Sequence, residues 1–242
     1  MPTWRIDLSY DGTGYRGYAS QAGLRTVQGE LESALETILG TGVVTSVAGR
    51  TDAGVHARHQ VVSFQHPDMD PVPLARSLNG ILGPEMSFMA ISETQEDFSA
   101  RFSATWRRYR YLIDRGPSPD PLRRHEAWFP GRVVDLQLMR EVAADLVGEH
   151  DFSSFCRHVE GKSNVRRLTS AEWVENGDFL EFWVEANAFC HQMVRSLVGH
   201  TYDIGRGFSE PGSTAAVIAA RDRSDVATVA PAHGLTLWEV GY

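Results

Sequence analysis

Two charged side chains lie close together in a short stretch bounded by glycines. The stretch runs from Ala48 to Ala57 and reads AGRTDAGVHA, with Arg50 and Asp52 between Gly49 and Gly54. Glycine adopts backbone conformations closed to bulkier residues and lets a ligand approach closely. A carboxylate in such a loop can serve as a nucleophile or a base. The spacing by itself favours an ion-paired or turn-forming aspartate in a hairpin.

The elements on either side must hold this loop in place. Residues 43–47 before it and 60–64 after it are rich in β-forming side chains. The pattern predicts two short strands with the loop presented at the edge of a sheet. Loops on a rigid scaffold commonly carry binding and catalytic residues, so this loop is the first candidate site.

The first half of the chain predicts the order strand, helix, strand, strand, helix, strand, which is typical of a ferredoxin-like unit. Thr26 is the expected N-cap of the first helix, and Gly40 is its expected end. Three glycines occur in the loop from Asp11 to Gly17, which can therefore lie close to another backbone. The remaining predicted elements are the strands Trp4–Tyr10 and Met86–Ile91 and a helix over 74–82.

A strand predicted over 105–113 combines aromatic and basic residues. Arg107, Tyr109 and Tyr111 would share one face, and the two intervening arginines would point to the other. Such alternation allows bases to stack while guanidinium groups hold phosphates. Taken alone, the pattern favours an ordinary amphipathic strand with a tyrosine in the core.

The second half predicts a helix over 133–148, a hairpin of strands 164–174 and 179–188, and a closing strand over 235–240. A further helix would carry an apolar stripe from Leu197 to Ile204 and end in a loop that begins at Asp203. Arg195 lies about 130° from the centre of that stripe on a helical wheel. Periodicity therefore predicts a solvated arginine.

The formal net charge is −8, from 31 acidic and 23 basic residues, which argues against an RNA partner. However, Lys162 is the only lysine, and arginine is the side chain best shaped for bidentate phosphate contacts. Codon bias explains the arginine content equally well. The basic residues do cluster, which is typical of a local basic surface on an acidic protein: Arg101, Arg107, Arg108, Arg110, Arg123, Arg124, Arg157, Lys162, Arg166 and Arg167.

Other classes of site receive little support. Cys156 and Cys190 are far apart in the sequence and lack a Cys-x-x-Cys spacing, so neither a disulfide framework nor a thiolate zinc site is predicted. His56, His59 and His66 do not have the spacing of metal ligands. No apolar run approaches the roughly 20 residues of a membrane span, and the N-terminus lacks the pattern of a signal peptide. A cytoplasmic enzyme without a membrane segment is expected.

Four strings together resemble the TruA family of tRNA pseudouridine synthases. They are the stretch 48–57, Arg-Phe-Ser-Ala at 101–104, Arg-Arg-Tyr-Arg-Tyr at 107–111 and Phe-x-His-x-Met-Val-Arg at 189–195. The similarity extends from Trp4 to Val240. One departure is Gly17-Tyr18-Ala19-Ser20-Gln21, where the family has Gly-Trp-Gln.

The resemblance implies an α+β fold with two ferredoxin-like (α-β plait) halves. Residues 1–104 would carry the catalytic loop, and residues 105–242 would carry the base-stacking tyrosine and the pairing arginine. The halves would form one extended, mostly antiparallel sheet with helices on one face and the active cleft between the halves. It further implies a homodimer that isomerises uridine to pseudouridine in the anticodon stem-loop of tRNA, at positions 38, 39 and 40, without cofactor or metal.

The resemblance also implies roles for individual residues. Asp52 matches the catalytic aspartate, and Arg195 matches the arginine that pairs with it. Tyr109 matches the tyrosine that stacks on the target base, Arg50 would fill the space that the base vacates, and Leu235 would line the uracil pocket. Contacts with the RNA backbone are expected from five arginines: Arg101, Arg107, Arg108, Arg166 and Arg167.

Two other functions remain compatible with the residues. The first is a hydrolytic enzyme acting on nucleosides through the same carboxylate chemistry, which would release free uracil. The second is a non-catalytic RNA-binding protein in which Asp52 has a structural role.

Overall fold

The computed structural model describes residues 1–210 and 212–242, and the chain divides into two units. Unit 1 comprises Met1–Arg107 and Thr236–Tyr242, and unit 2 comprises Arg108–Leu235. The sequence placed the boundary after residue 104 and assigned the whole C-terminus to the second half. The structure differs because the last strand pairs with a strand of unit 1, a long-range parallel pairing that local patterns do not show.

Unit 1 begins with a ferredoxin-like arrangement. Strand β1 pairs antiparallel with both β3 and β4, and β2 pairs antiparallel with β3, giving the order β4-β1-β3-β2. This is the strand order of a ferredoxin-like unit, as the sequence predicted. The elements are β1 (Thr3–Tyr10), α1 (Val27–Leu39), β2 (Ser46–Val47), β3 (His56–Gln65), α2 (Pro71–Leu82) and β4 (Met86–Thr94).

Local sequence explains these elements well. Trp4, Ile6 and Leu8 alternate along β1 and are buried, as expected for one face of a half-buried strand. The side chain of Thr26 accepts a hydrogen bond from the amide of Gly29 at 3.2 Å and caps α1. Gly40 ends the helix with φ 72°, a left-handed conformation that favours glycine.

Unit 2 contains most of β5 and three further strands in the order β5-β8-β7-β6. Strand β7 pairs antiparallel with β6 and with β8. In the β7–β8 hairpin, every second residue of β8 from Leu180 to Ala186 is fully buried, which confirms the predicted core face. The elements are β5 (Trp106–Asp114), α3 (Leu136–Asp145), β6 (Gly148–Asp151), β7 (Val165–Asn176), β8 (Phe179–Ala186), α4 (Met193–Gly205) and α5 (Ser213–Ala220).

Helix α4 differs from its sequence prediction. It is buried around almost its whole circumference, and Arg195 is its only residue outside the buried class. The helix also continues to Gly205, so Asp203 is a buried helical residue that binds the side chain of Arg206 rather than the start of a loop. The predicted stripe was too narrow because α4 is covered on several sides, by α3 and by the chain around Thr228.

The last strand, β9 (Leu235–Gly241), returns to unit 1. Thr236 and Leu237 pair in parallel with His56 and Ala57 at the beginning of β3. Since the glycine-bounded stretch ends at Ala57, β9 is fixed against the exit of the candidate loop.

The two cysteines form a disulfide, which the sequence analysis did not predict. The Cα atoms of Cys156 and Cys190 are 5.7 Å apart, within the usual range for a disulfide. The two segments run side by side, and the amide of Arg157 donates to the carbonyl of His191 at 2.9 Å. The 34-residue separation in sequence hides this proximity.

The α+β class and the mostly antiparallel pairing are therefore confirmed. Within residues 1–210 and 212–242, no helix has the length and apolar character needed to cross a membrane.

Two helical glycines allow a test of the packing around α4. A Cβ atom on Gly199 would lie 1.9 Å from the carbonyl oxygen of Thr228, whereas one on Gly80 in α2 would meet nothing within 4 Å. Overpacking typically costs about 1–3 kcal/mol, so we expect Gly199→Ala to lower the free energy of unfolding by about this amount. Gly80→Ala should raise it by roughly 0.5–1 kcal/mol through helix propensity. Urea unfolding measures both, and equal stabilities for the two variants would contradict the described packing.

Candidate active site

The loop that carries Asp52 leaves the sheet after β2 and enters β3. The amide of Ala48 still donates to the carbonyl of Val61 at 2.9 Å, so the loop begins at a defined sheet position. The amide of Val55 donates to the carbonyl of Asp52 at 3.1 Å, and Gly54 has φ 80°. These contacts form a tight turn, and the Asp52 side chain is half-buried within it.

Buried polar side chains from the sheet hold the first part of this loop. Gln60, which is fully buried, donates to the carbonyl of Gly49 at 2.7 Å and accepts from the Gly49 amide at 3.4 Å. Gln60 also donates to the hydroxyl of Tyr10 at 3.3 Å. The Tyr10 hydroxyl lies 2.8 Å from the hydroxyl of Thr51, the residue just before Asp52. A short network therefore connects β1 and β3 to the candidate catalytic residue.

A second loop, residues 11–18, lies against the first. The amide of Tyr18 donates to the carbonyl of Thr51 at 3.0 Å. A Cβ atom on Gly12 would lie 2.0 Å from the carbonyl oxygen of Val55, and Gly17 has φ 98° beside the backbone of residues 51–53. The prediction that this glycine-rich loop lies close to another backbone is confirmed. Any side chain at Gly12 would push the two loops apart.

Burial determines the protonation of the hydroxyl beside Thr51. Tyr10 is 4% exposed, and this burial raises the pKa of Tyr10 to about 12. Hydrogen bonds from Thr51 and Gln60 oppose the increase without cancelling it. Tyr10 is therefore a neutral phenol at physiological pH and can donate to Thr51.

Two of the arginines predicted in unit 1, Arg50 and Arg107, have different environments. The side chain of Arg50 is exposed, two residues before Asp52. Arg107 is only 8% exposed, and its guanidinium donates to backbone carbonyl oxygens of unit 1. The predicted contact of Arg107 with the RNA backbone is therefore wrong, because its guanidinium already donates to three backbone carbonyl oxygens.

Tyr109 of unit 2 packs against an aromatic ring. Tyr109 lies on the buried face of β5, and its ring meets the ring of Phe189 edge-on, with centroids 5.0 Å apart and an interplanar angle of 84°. Phe189 belongs to the string that ends at Arg195. The contact between Phe189 and Tyr109 was not predicted, because the two residues lie far apart in the sequence. The only signal that links them is that both belong to strings shared with the family.

Arg195 is part of a second cluster in unit 2. Its Nε atom donates to the carbonyl of Ala230 at 2.7 Å, so the arginine is not the solvated side chain that periodicity predicted. Tyr111 donates to the carbonyl of Pro231 at 2.8 Å. Burial raises the pKa of Tyr111 well above its ordinary value, and the nearby charge of Arg195 opposes this. Leu235, which is 5% exposed, lies four residues after Pro231.

The remaining predicted RNA contacts differ in availability. Arg101 is exposed and lies over the ring of Phe102 at 5.1 Å, and Arg167 is exposed. Arg108 donates to Glu185 at 2.7 Å. Arg166 is half-buried, its pKa is lowered by burial, and it donates to nearby carbonyl oxygens. Arg101 and Arg167 are therefore the two that phosphates can reach most directly.

The histidines near the loop have partners other than a metal ion. No group of three or more His, Cys, Asp or Glu side chains in residues 1–210 and 212–242 is arranged to hold a metal ion. His59 instead lies 2.6 Å from a carboxylate oxygen of Asp7, and the Nδ1 atom of His56 accepts from the amide of Gly12.

Comparison with known proteins identifies the family. A family model described as tRNA pseudouridine synthase matches residues 142–242. The tRNA pseudouridine synthase A of Frankia casuarinae is 46% identical over 242 residues, covering 98% of this chain and 88% of that protein. The chain belongs to the TruA family of tRNA pseudouridine synthases. The corresponding proteins of Streptomyces griseus and Bacillus licheniformis are 43% and 39% identical, each over 98% of this chain and over 87% and 98% of their own lengths.

In this TruA-family chain, the hydroxyl of Tyr10 offers a test of the network that holds the loop. Tyr10→Phe should lower the free energy of unfolding by about 1 kcal/mol at neutral pH, since Thr51 and Gln60 lose a partner. The pKa of Tyr10 is about 12 in the folded chain and about 10 when unfolded. The stabilisation linked to this proton is therefore complete below about pH 10 and is lost as the pH rises toward 12.

We expect the stability difference between wild type and Tyr10→Phe to shrink by about 1 kcal/mol between about pH 9 and 11. Urea unfolding of both proteins at the two pH values measures this difference. A difference that stays constant across this range would show that the hydroxyl is not held as described.

Proposed function

We propose that this chain isomerises uridine to pseudouridine in the anticodon stem-loop of tRNA, at positions 38, 39 and 40. The observation that carries the proposal is the match to tRNA pseudouridine synthase A proteins over nearly the whole chain. The site geometry supports it, because the half-buried Asp52 lies in a loop fixed by Gln60, Tyr10 and Tyr18.

The reaction needs a well-placed carboxylate and no net oxidation or hydrolysis. The bond between N1 of uracil and C1′ of ribose breaks, the base turns, and a bond from C5 to C1′ forms. C5 loses a proton and N1 ends protonated, so the atoms balance. An ionised Asp52 can attack C1′, as the nucleophile of a retaining glycosidase does, or remove the neighbouring 2′-hydrogen. Both routes use the same carboxylate at the same place.

Arg195 is proposed to keep that carboxylate ionised. The proposal rests on its match to the arginine of the family string at 189–195. A guanidinium at contact distance favours the charged form of an acid.

The target base must leave the RNA stem before it can react, which costs a few kcal/mol. Tyr109 is proposed to stack on the extruded uracil, and Leu235 to line the pocket that receives it. The contact between Tyr109 and Phe189 supports this role, because it restrains the tyrosine ring. Arg50 is proposed to occupy the vacated space in the stem. Its side chain is exposed, so RNA can reach it.

The backbone of the RNA is proposed to contact Arg101, Arg108, Arg166 and Arg167. Arg107 is left out because its guanidinium donates to backbone carbonyl oxygens. We further propose that the protein acts as a homodimer in the cytoplasm, where its substrate is found. A tRNA is large compared with one 26.9 kDa chain, and a second copy would extend the surface available to it.

Replacing the proposed catalytic residue should separate chemistry from binding. Asp52→Ala should reduce the rate of pseudouridine formation by roughly 10³-fold or more, because no other group takes over the role of the carboxylate. Affinity for tRNA should change little, since Asp52 contributes no positive charge to the RNA contact. Nucleoside chromatography of digested tRNA measures the product, and a filter-binding titration measures the affinity.

Asp68→Ala is the matched control, because Asp68 is an exposed aspartate in the segment after β3. It should retain the wild-type rate. Full turnover by Asp52→Ala would exclude Asp52 as the catalytic group. Release of free uracil by the wild type would indicate a nucleoside hydrolase. Tight tRNA binding without any modified base would indicate an RNA-binding protein.

The proposed phosphate contacts imply a strong salt dependence. Each neutralised phosphate contributes a slope of roughly −0.7 to −0.9 to the plot of log affinity against log salt, so four arginines should give a slope of about −3. Affinity for an anticodon stem-loop RNA should then fall on the order of 100-fold between about 50 and 200 mM salt.

Arg167→Gln should make that slope shallower by about one contact. Arg25→Gln should leave it unchanged, because Arg25 is not among the proposed RNA contacts. Its guanidinium is bound to two glutamates, Glu30 in α1 and Glu85 just before β4. An affinity that does not vary with salt would contradict the arginine contacts.

A further inference from the structure

We propose that Arg107 is a positioning residue for the Asp52 loop, because its buried guanidinium ties the carbonyl at which the loop leaves the sheet to the turn at residues 99–104. The inference rests on the proposed function, since it takes Asp52 as the group whose position matters. It gives Arg107 a role different from the RNA contact that the sequence suggested.

The geometry of the guanidinium is the first argument. Nε and Nη2 both donate to the carbonyl oxygen of Ala48, at 3.1 and 2.8 Å. Nη2 also donates to the carbonyl of Arg101 at 2.9 Å, and Nη1 donates to the carbonyl of Ala104 at 3.0 Å. One side chain therefore connects two segments that lie more than fifty residues apart in the sequence.

The turn at the other end of this connection is itself well fixed. The amide of Ser103 donates to the carbonyl of Ser99 at 2.9 Å, and the amide of Ser99 donates to the hydroxyl of Ser103 at 3.0 Å. The amide of the fully buried Ala100 donates to the hydroxyl of Ser63 on β3 at 2.9 Å. Because the turn is fixed by these hydrogen bonds, the guanidinium that binds it can restrain the carbonyl of Ala48.

The chemistry of the contact requires arginine. A guanidinium is planar and presents donors in a fixed fork, so it can serve carbonyl oxygens that lie in different directions within one plane. A lysine ammonium is a single point at the end of a flexible chain and cannot reach all three carbonyls. The charge is buried, and the bonds from its three nitrogens to carbonyl oxygens compensate for the loss of water.

The consequence reaches Asp52 through a short piece of backbone. Ala48 lies four residues before Asp52, and Ala48 is followed directly by Gly49. If Ala48 moves, the loop can follow, and a displacement of about 1 Å at a reacting group can cost on the order of 100-fold in rate. The same guanidinium holds the turn that carries Arg101, so a proposed RNA contact and the proposed catalytic loop share one anchor.

Arg107→Lys and Arg107→Ala test the inference, with Arg5→Lys as the matched control. Arg5 is also a partly buried arginine of unit 1, but its guanidinium donates to Asp7. All proteins are compared well below their lowest melting midpoint, so differences in stability do not affect the rates. The readouts are kcat and KM for tRNA, equilibrium tRNA affinity, and hydrogen exchange of the peptide that covers residues 46–55.

For Arg107→Lys we expect kcat to fall about 10- to 100-fold while tRNA affinity stays close to that of wild type. Hydrogen exchange in residues 46–55 should become faster in this variant and stay unchanged in Arg5→Lys. In Arg107→Ala, millimolar guanidinium chloride should restore part of kcat and ammonium chloride should not. A variant that is merely less stable would gain nothing from added guanidinium.

Unchanged kcat together with unchanged exchange in Arg107→Lys would overturn the proposal. Weaker tRNA binding with normal kcat would also overturn it and would return Arg107 to the set of phosphate contacts. A wild-type protein without turnover would refute the proposed function instead. Hydrogen exchange would then still decide whether Arg107 anchors the loop.

Discussion

A chain that leaves a sheet to form a partly buried loop must find hydrogen-bond partners for its peptide groups, because burying them unpaired is costly. The Asp52 loop meets this requirement at successive positions. The carbonyl oxygens of Ala48, Gly49 and Thr51 accept from Arg107, Gln60 and the Tyr18 amide, respectively. The need to satisfy these oxygens therefore determines where the loop lies.

The partners come from elements that cannot move easily. Tyr10 lies on β1, Gln60 on β3 and Arg107 on β5, and all three are buried. Side chains fixed by packing transmit the rigidity of the sheet to the loop, which is how enzymes keep reacting groups in position without reorganisation. The glycines at 12 and 17 allow the second loop to close over the same backbone.

The sequence predicted the features that depend on neighbouring residues. Thr26 and Gly40 delimit α1, and the alternation along β8 indicated its core face, since caps and strand patterns are local signals. The ferredoxin-like arrangement of unit 1 was predicted from the order of elements along the chain. The environment of Arg107 could not be predicted in this way. The alternation of residues along β5 was predicted correctly, but the hydrogen-bond partners of Arg107 lie far away in the sequence, at Ala48, or outside the strand, at Arg101. The Cys156–Cys190 pair was missed for the same reason, and α4 was misjudged because its cover comes from distant segments.

The pairing of β9 with the start of β3 affects how the protein is made. A ribosome produces Met1–Arg107 first, then the whole of Arg108–Leu235, and only afterwards the strand that lies beside His56 and Ala57. Domains usually fold as units while the nascent chain emerges. Unit 1 is therefore complete only after Arg108–Leu235 has been synthesised, and a polypeptide terminated before Leu235 would lack the strand beside the exit of the Asp52 loop.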